Sequence, residues 1–401
     1  MNYDVIVVGA GPSGSTAAKT LAENGIKVLL VDKERFPRDK PCGGGLPLRT
    51  LTEFSYLKKL QSIESYSYGG IVYSPSSKNN IEINKTEPVI AMVQRSKFDN
   101  ELVHLSVDKG TEFQENKQVT NINILQDKVQ LTFKDRSTVT AELIIGADGF
   151  QSTIARITHL NKGNLGKGIC ILEEIQTNKE QIKQIYTKKL FCHIHSKFKG
   201  IQGYGWVFPK QNHINIGILS YDQKDQIYQK NINLKNIFTD YLNTLKDKNL
   251  IPSTIQSSNI KGGVLPLQPI KKTYTNRVLI SGDAAGLVNP ITGEGIYYAI
   301  CSGRLAGLTA VKSIRNQNTT EEFLSTYQKR WKKAFGKELN LLLLAKKQWG
   351  KQGETTIKIM NKDPIFAELI FSIMVGKESI YNLRWKIIKR FLYNKIFLKM
   401  N

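Results

Sequence analysis

Apolar positions along this chain follow three spacings, and each predicts a different element. Tyr3-Asp4-Val5-Ile6-Val7-Val8 and Val28-Leu29-Leu30-Val31 are nearly unbroken apolar runs of strand length. Runs without polar alternation suit strands covered on both faces, as in a parallel sheet. A helical pattern lies between them, so residues 1–33 predict a β-α-β unit. Period-two alternation follows in Ile71-Val72-Tyr73, Ile81-Glu82-Ile83, Val119 to Ile124 and Val129 to Phe133, with Asp135-Arg136-Ser137 as a turn. Phe98, Leu102 and Leu105 share one face of a helix from about Ser96 to Val107. Buried-type runs return at Leu143-Ile144-Ile145 and at Val278-Leu279-Ile280. Residues 160–268 alternate strand-like and turn-like segments, with one helix near Leu234 to Leu245, and predict a mostly antiparallel sheet. A long helix starts near Gly293, and residues 321–401 are mainly helical, divided at Pro364. The fold class is therefore α/β with an α+β insertion: a Rossmann-like domain in discontinuous pieces, an inserted sheet domain and a C-terminal helical region.

The first strand runs straight into Gly9-Ala10-Gly11-Pro12-Ser13-Gly14. In such a loop Gly9 permits the turn, Gly11 lets the backbone approach a pyrophosphate, and Gly14 lets the helix pack close to the strand. Ser13 and the helix N-terminus face the phosphates. Asp32, followed by Lys33, ends the second strand 18 residues past Gly14, where a carboxylate accepts hydrogen bonds from an adenosine ribose. This order of strand, loop, helix, strand and acid predicts a dinucleotide with a free 2′-hydroxyl, FAD or NAD. A second constellation, Gly282-Asp283-Ala284-Ala285-Gly286 with Asn289-Pro290 and Gly293-Glu294-Gly295-Ile296, again joins a strand and a carboxylate to a glycine-rich helix entry. Asp283 could bind polyol hydroxyls, and the helix dipole could stabilise negative charge on a reduced ring. Together the two segments favour a flavin.

These segments, with Gly146-Ala147-Asp148-Gly149, Ser152 and Arg156, occur in the order found in FAD-dependent oxidoreductases of the para-hydroxybenzoate hydroxylase fold, which residues 1–310 resemble. Arg95-Ser96-Lys97-Phe98-Asp99 is similar to that group's Arg-x-x-Phe-Asp helix start. The resemblance implies that Asp283 binds the ribityl chain, that Arg95 lies near ribityl or phosphate groups, and that Asp148 and Gly149 support the dinucleotide. Gly286, Gly293, Gly295 and Ile296 would complete the cofactor set. Two further motifs, Lys40-Pro41-Cys42-Gly43-Gly44-Gly45-Leu46-Pro47 and Tyr204-Gly205-Trp206-Val207-Phe208-Pro209, resemble signatures of the geranylgeranyl reductases within that fold.

That likeness implies an FAD-dependent reductase saturating C=C bonds of a geranylgeranyl or polyprenyl chain on a membrane ether lipid, a quinone or a chlorophyll precursor. It places Cys42, Gly43 and Gly44 near the flavin, and Gly45, Tyr204, Trp206, Phe208 and Pro209 at the substrate. Tyr204, Trp206 and Phe208 alternate, so they share one strand face. Cys42 is the candidate catalytic thiol, redox-active or relaying a proton, or else a small buried residue. The expected domains are 1–70, 92–160 and 270–320 for the cofactor, 71–91 and 161–269 for the substrate sheet, and 321–401 for the helical region. The rival readings are an aromatic-ring monooxygenase and a membrane-associated flavoprotein passing electrons to quinone. The sequence has no second GxGxxG domain, so NAD(P)H or reduced ferredoxin would donate electrons transiently.

Composition adds location. The four cysteines, Cys42, Cys170, Cys192 and Cys301, form no CxxC pair, which suits a reducing cytoplasm, and no signal peptide or spanning run is expected. Cys192-His193-Ile194-His195 lacks a second ligand pair, so no metal is expected. The formal charge is +23, and residues 331–401 hold 15 Lys and Arg against 5 Asp and Glu. No recognised module supports nucleic-acid binding. In Ile380–Asn401 a face of Ile380, Leu383, Ile387, Phe391 and Leu398 opposes Lys386, Lys389 and Arg390, with Tyr381 and Trp385 as anchors. The expectation is an interfacial helix on the anionic cytoplasmic face of a membrane.

Overall fold

The computed structural model describes residues 2–161, 166–186, 188–222, 233–255 and 257–400. The chain divides into two compact units. Met1–Lys40, Arg95–Leu165 and Leu265–Asn340 form one, and Pro41–Gln94, Gly166–Val264 and Leu341–Asn401 form the other. The first piece of the nucleotide unit thus closes at Lys40 rather than at residue 70. The reason is pairing: Gly45–Pro47 and Ile63–Ser67 both flank strand Ile90–Val93 in a small antiparallel sheet of the second unit. Residues 341–401 likewise belong to the second unit instead of standing as a separate region.

In the first unit, strands Val278–Ile280, Thr138–Gly146, Asn2–Val8, Val28–Val31 and Glu112–Gln114 lie side by side in that order, all parallel. Val5 sits opposite both Val28 and Leu143, and all three are buried. A hairpin of Val119–Ile124 and Val129–Phe133 extends Thr138–Gly146. Helix Pro12–Ala22 crosses helix Ile296–Arg315 at close range. A methyl group on Gly303 would lie 2.2 Å from the Ser13 carbonyl oxygen, so only glycine fits there. The Ser13 and Ser281 hydroxyls, 2.8 Å apart, fasten the glycine loop to the end of the last parallel strand.

The second unit is built on a sheet whose order is Lys261–Pro266, Lys167–Gln176, His213–Asp222, Gly203–Pro209, Cys192–Ser196, Gly69–Tyr73 and Asn80–Asn84. One face is a core: Val207, Ile214, Ile216 and Ile218 pack on Phe238, Tyr241, Leu242 and Leu245 of helix Leu234–Asp247. Register puts Cys170, Leu172 and Glu174, then Asn215, Gly217, Leu219 and Tyr221, then Tyr204, Trp206 and Phe208 on the opposite face. His193 and His195 point to the core side, where His195 stacks on Tyr73 at 4.2 Å and meets the Tyr241 hydroxyl at 2.8 Å. Burial pushes their pKa values down to about 4 and about 3, so both are neutral packing groups.

Pro364 does divide two helices: Asp363 caps Pro364–Met374 by accepting the Ile365 and Phe366 amides. The last helix, Ile380–Met400, corrects the sequence reading of its apolar face. Ile387 and Phe391 turn inward against Phe366, Phe371 and their neighbours, and Asp363 accepts hydrogen bonds from Arg390 (2.5 Å) and Asn394 (2.7 Å). The expected lipid-facing stripe is therefore the docked one. Leu398 lies outside the described side chains. The exposed apolar positions are instead Trp385, Ile388, Leu392 and Ile396. No helix among the described residues is long and apolar enough to cross a membrane.

Candidate functional site

In the first unit the glycine loop takes the form its residues require. Gly9 has φ +98°, and a side chain there would meet the Ala147 carbonyl oxygen at 2.4 Å. Asp32 is buried and holds the loop directly, accepting the Ala10 amide at 2.7 Å and the Glu34 amide at 2.9 Å. Lys33 is exposed beside Glu34. Gly11 precedes helix Pro12–Ala22, whose N-terminus has no side-chain cap, so its first amides point outward.

Arg95 is nine-tenths buried and spends its guanidinium on Asp99, with Nε and Nη2 each 2.7 Å from a carboxylate oxygen. Arg38 joins the same carboxylate at 2.9 Å. Burial alone would raise the Asp99 carboxyl, but Arg95, Arg38 and Lys40 overcome it and hold it below its ordinary value. Asp148 serves its own loop: it accepts the Ser152 hydroxyl (2.5 Å) and the Thr153 amide (2.7 Å) at the start of helix Thr153–Ile157. Burial pushes its pKa up, and these hydrogen bonds oppose the rise. Gly149, with φ +81°, has nothing within 4 Å of where a side chain would go. Asp283 lies in the short turn Gly282–Ala285, 3.8 Å from the Lys40 ammonium. Gly286 (φ +73°) and Gly293 (φ +69°) shape the loop that leads to Gly295 and Ile296 at the start of the long helix.

In the second unit the three signature aromatics do share one face, with ring centroids 5.9 Å apart for Tyr204–Trp206 and 6.3 Å for Trp206–Phe208. Gly217, directly across from Trp206, leaves room for the indole, which would meet a side chain there at 2.2 Å. Gly43 is similarly filled: a side chain would strike Phe208 at 2.9 Å. The glycines after Cys42 thus have a reason within this unit, since Gly44 is crowded by the Val93 carbonyl and Gly45 sits on Ile90 and Phe208. Pro209 ends the aromatic strand and is buried. Cys42 Sγ accepts the Gly44 amide at 3.4 Å.

Behind the aromatics lies a polar network that motif reading missed. Trp206 Nε1 donates to Asn215 Oδ1 at 2.7 Å. Asn215 Nδ2 donates to the Cys42 carbonyl at 3.1 Å and to Glu174 at 2.5 Å. Glu174 pairs at 2.8 Å with Lys210, which is 1% exposed and also donates to the Val93 carbonyl at 3.0 Å. The residue after Pro209 is thus a buried cation, paired on the face it supports.

A family model described as FAD binding domain matches residues 2–339. A digeranylgeranylglycerophospholipid reductase of Methanococcus vannielii is 31% identical over 337 residues, covering 82% of each chain. The chain belongs to the geranylgeranyl reductase family of FAD-binding oxidoreductases. Among solved structures, a geranylgeranyl bacteriochlorophyll reductase-like protein of Thermoplasma acidophilum superposes with TM-score 0.80 over 96% of this chain and 98% of its own, at 24% identity. The flavin-dependent brominase Bmp2 superposes with TM-score 0.72 over the whole of both chains, at 16% identity. These last two likenesses concern the fold.

The nucleotide unit of this geranylgeranyl reductase family member fits FAD on its own atoms. At Gly11 an added side chain would touch only Arg38 Nη2, at 3.5 Å. Arg38 Nη1 is buried with no hydrogen-bond partner among the described residues. An orphaned guanidinium N–H beside an uncapped helix start suits a pyrophosphate. Arg38 carries no motif signal, because only the fold brings it to the loop. Replacing it with Met should raise the FAD dissociation constant about 10–100-fold, the worth of one or two charge-assisted hydrogen bonds. Titration of FAD into stripped protein measures this; unchanged affinity would remove Arg38 from the cofactor site.

Proposed function

We propose that this protein is an FAD-dependent reductase that saturates C=C bonds of a geranylgeranyl or longer polyprenyl chain on a membrane ether lipid. The observation that carries the reading is the aromatic face of the second unit. Trp206 packs on Gly217 and Phe208 on Gly43, and among the described residues Asn215, Glu174 and Lys210 behind them are paired with one another. Such a face accepts a long apolar chain without leaving a buried donor or acceptor unsatisfied. The curated relative's name supports a phospholipid-borne digeranylgeranyl substrate; a quinone or chlorophyll precursor would offer the same chain.

The FAD held by the first unit would, when reduced, supply a hydride equivalent to one alkene carbon, and a proton would complete the other. An isolated alkene has no carbonyl to polarise, so the chain's residues contribute by positioning and by excluding water. Trp206 is fixed through Asn215, and Phe208 is fixed against Gly43. Burial raises the Tyr204 pKa, so its hydroxyl stays protonated. Cys42, whose sulfur accepts the Gly44 amide, is assigned the proton relay. Gly9, Gly11, Ser13, Gly14, Asp32, Arg38, Asp283 and the Gly293–Ile296 helix start are assigned to the cofactor. NAD(P)H or reduced ferredoxin is assigned as transient electron donor.

We place the enzyme peripherally on the anionic cytoplasmic face of the membrane. Trp385, Ile388, Leu392 and Ile396 recur at helical spacing and are 46–69% exposed, beside Lys386 and Lys389. Exposed aromatic and aliphatic groups among lysines match an anionic lipid interface. Two measurements follow. Anaerobic incubation of the photoreduced holoenzyme with a digeranylgeranyl phospholipid should add hydrogen pairs to the lipid, read by mass. No change in lipid mass would overturn the reductase, and oxygen incorporation in air would indicate a monooxygenase. In flotation, wild type should bind vesicles containing phosphatidylglycerol, and the double variant Trp385→Ser/Ile388→Ser should lose most of that binding. Equal binding by both would remove the stripe from the interface.

A further inference from the structure

One cation of the aromatic face is left over by the reaction just described. Lys346, on helix Lys337–Lys362, is 8% exposed, and its ammonium lies 3.9 Å from the centre of the Tyr221 ring. Tyr221 shares its face with Tyr204, because Tyr204 pairs in register with Leu219 and Tyr221 follows two residues later. Tyr221 is itself close enough to Tyr204 for each to feel the other's charge. Lys346 therefore overlies the end of the strip that continues through Trp206 and Phe208.

Among the described residues no carboxylate pairs with this ammonium. The contrast with Lys210 is informative. Both lysines are more than nine-tenths buried on the same unit, but Lys210 has Glu174 at 2.8 Å and a backbone carbonyl at 3.0 Å. Withdrawing an ammonium from water is costly, and a cation–π contact returns only part of that cost. Burial accordingly pushes the Lys346 pKa down to about 8, which still leaves it mostly charged at pH 7. The described residues supply no counter-charge, so an incoming anionic group would meet an unpaired ammonium here.

We propose that Lys346 receives the phosphate ester of an isoprenoid lipid, so that the aromatic face binds an anionic prenyl substrate in preference to a neutral one. The inference rests on the reading of that face as the prenyl-chain site. It narrows the substrate class, because a quinone or a prenyl alcohol offers no negative charge at that point. It also gives a use for a buried lysine at a position where a methionine of similar length would pack without desolvation cost.

The test is equilibrium binding to the oxidised holoenzyme by calorimetry, which requires no turnover. The probes are geranylgeranyl monophosphate, geranylgeraniol and inorganic phosphate, applied to wild type, Lys346→Met and Lys346→Arg. Wild type should bind the prenyl phosphate more tightly than the alcohol. Lys346→Met should weaken the prenyl phosphate about 10–100-fold, as expected for one charge-assisted contact, and leave the alcohol within about threefold. Lys346→Arg should keep the preference. Removing an uncompensated buried charge should also leave the thermal midpoint of Lys346→Met at or above that of wild type. A phosphate preference that survives in Lys346→Met, or an equal loss for both prenyl probes, overturns the proposal. So does inorganic phosphate binding as tightly as the prenyl phosphate, which would mark a free-phosphate site. If the Lys346 dependence holds but no prenyl chain is ever reduced, the reductase reading falls and the anion site stands.

Discussion

The aromatic face of the second unit depends on a single buried amide. Asn215 faces three demands at once: the indole N–H of Trp206, the carbonyl of Cys42 and the carboxylate of Glu174. Each is a buried polar group whose loss of partner costs about 1–3 kcal/mol. One side chain therefore fixes the wall on which a prenyl chain would lie and the loop that carries the candidate thiol. Lys210 completes the arrangement by neutralising Glu174 and holding the Val93 carbonyl. With the indole pinned, its neighbours have little freedom: Gly217 must be small opposite it, and Gly43 must be small against Phe208. The glycines of the Cys42 loop are in this sense consequences of the aromatic strand.

The first unit solves a related problem with charge. Asp99 is fully buried and binds two guanidiniums, Arg95 through both carboxylate oxygens and Arg38 through one. That cluster aims Arg38 at the glycine loop while leaving one of its nitrogens unused. Arg95, placed near the cofactor by family likeness, binds the same carboxylate as Arg38. Asp148 has a comparable local duty, capping the helix that follows it. Both residues, which family likeness places at the cofactor, thus also hold their own surroundings in the first unit.

The parts legible in the sequence are those whose logic is local. A strand, a glycine turn and an acid within 32 residues announce the nucleotide loop, and alternation within Gly203–Pro209 puts three aromatics on one face. The parts that escaped depend on chain-distant partners: Asn215 reaches Cys42 across 173 residues and Glu174 across 41. Lys210 and Lys346 read as ordinary solvated lysines until burial is known. The last helix shows a different limit. Its sequence offers two apolar stripes, one through Ile387 and Phe391 and one through Trp385, Ile388, Leu392 and Ile396. Periodicity cannot say which one docks, because that is decided by Phe366 and Asp363 on the preceding helix. The unit boundary at Lys40 is hidden for a similar reason, since Gly45–Pro47 finds its pairing partner more than 40 residues later.

If the Asn215 amide sets a prenyl-binding face, it does so independently of the cofactor unit. The decisive quantity is the affinity of the FAD-loaded Asn215→Leu variant for geranylgeraniol, measured beside its affinity for FAD. The account predicts a loss of about tenfold or more for the prenyl alcohol, equivalent to one orphaned polar group, with FAD affinity unchanged. Wild-type affinity for the alcohol, or an equal loss of both ligands, would contradict it.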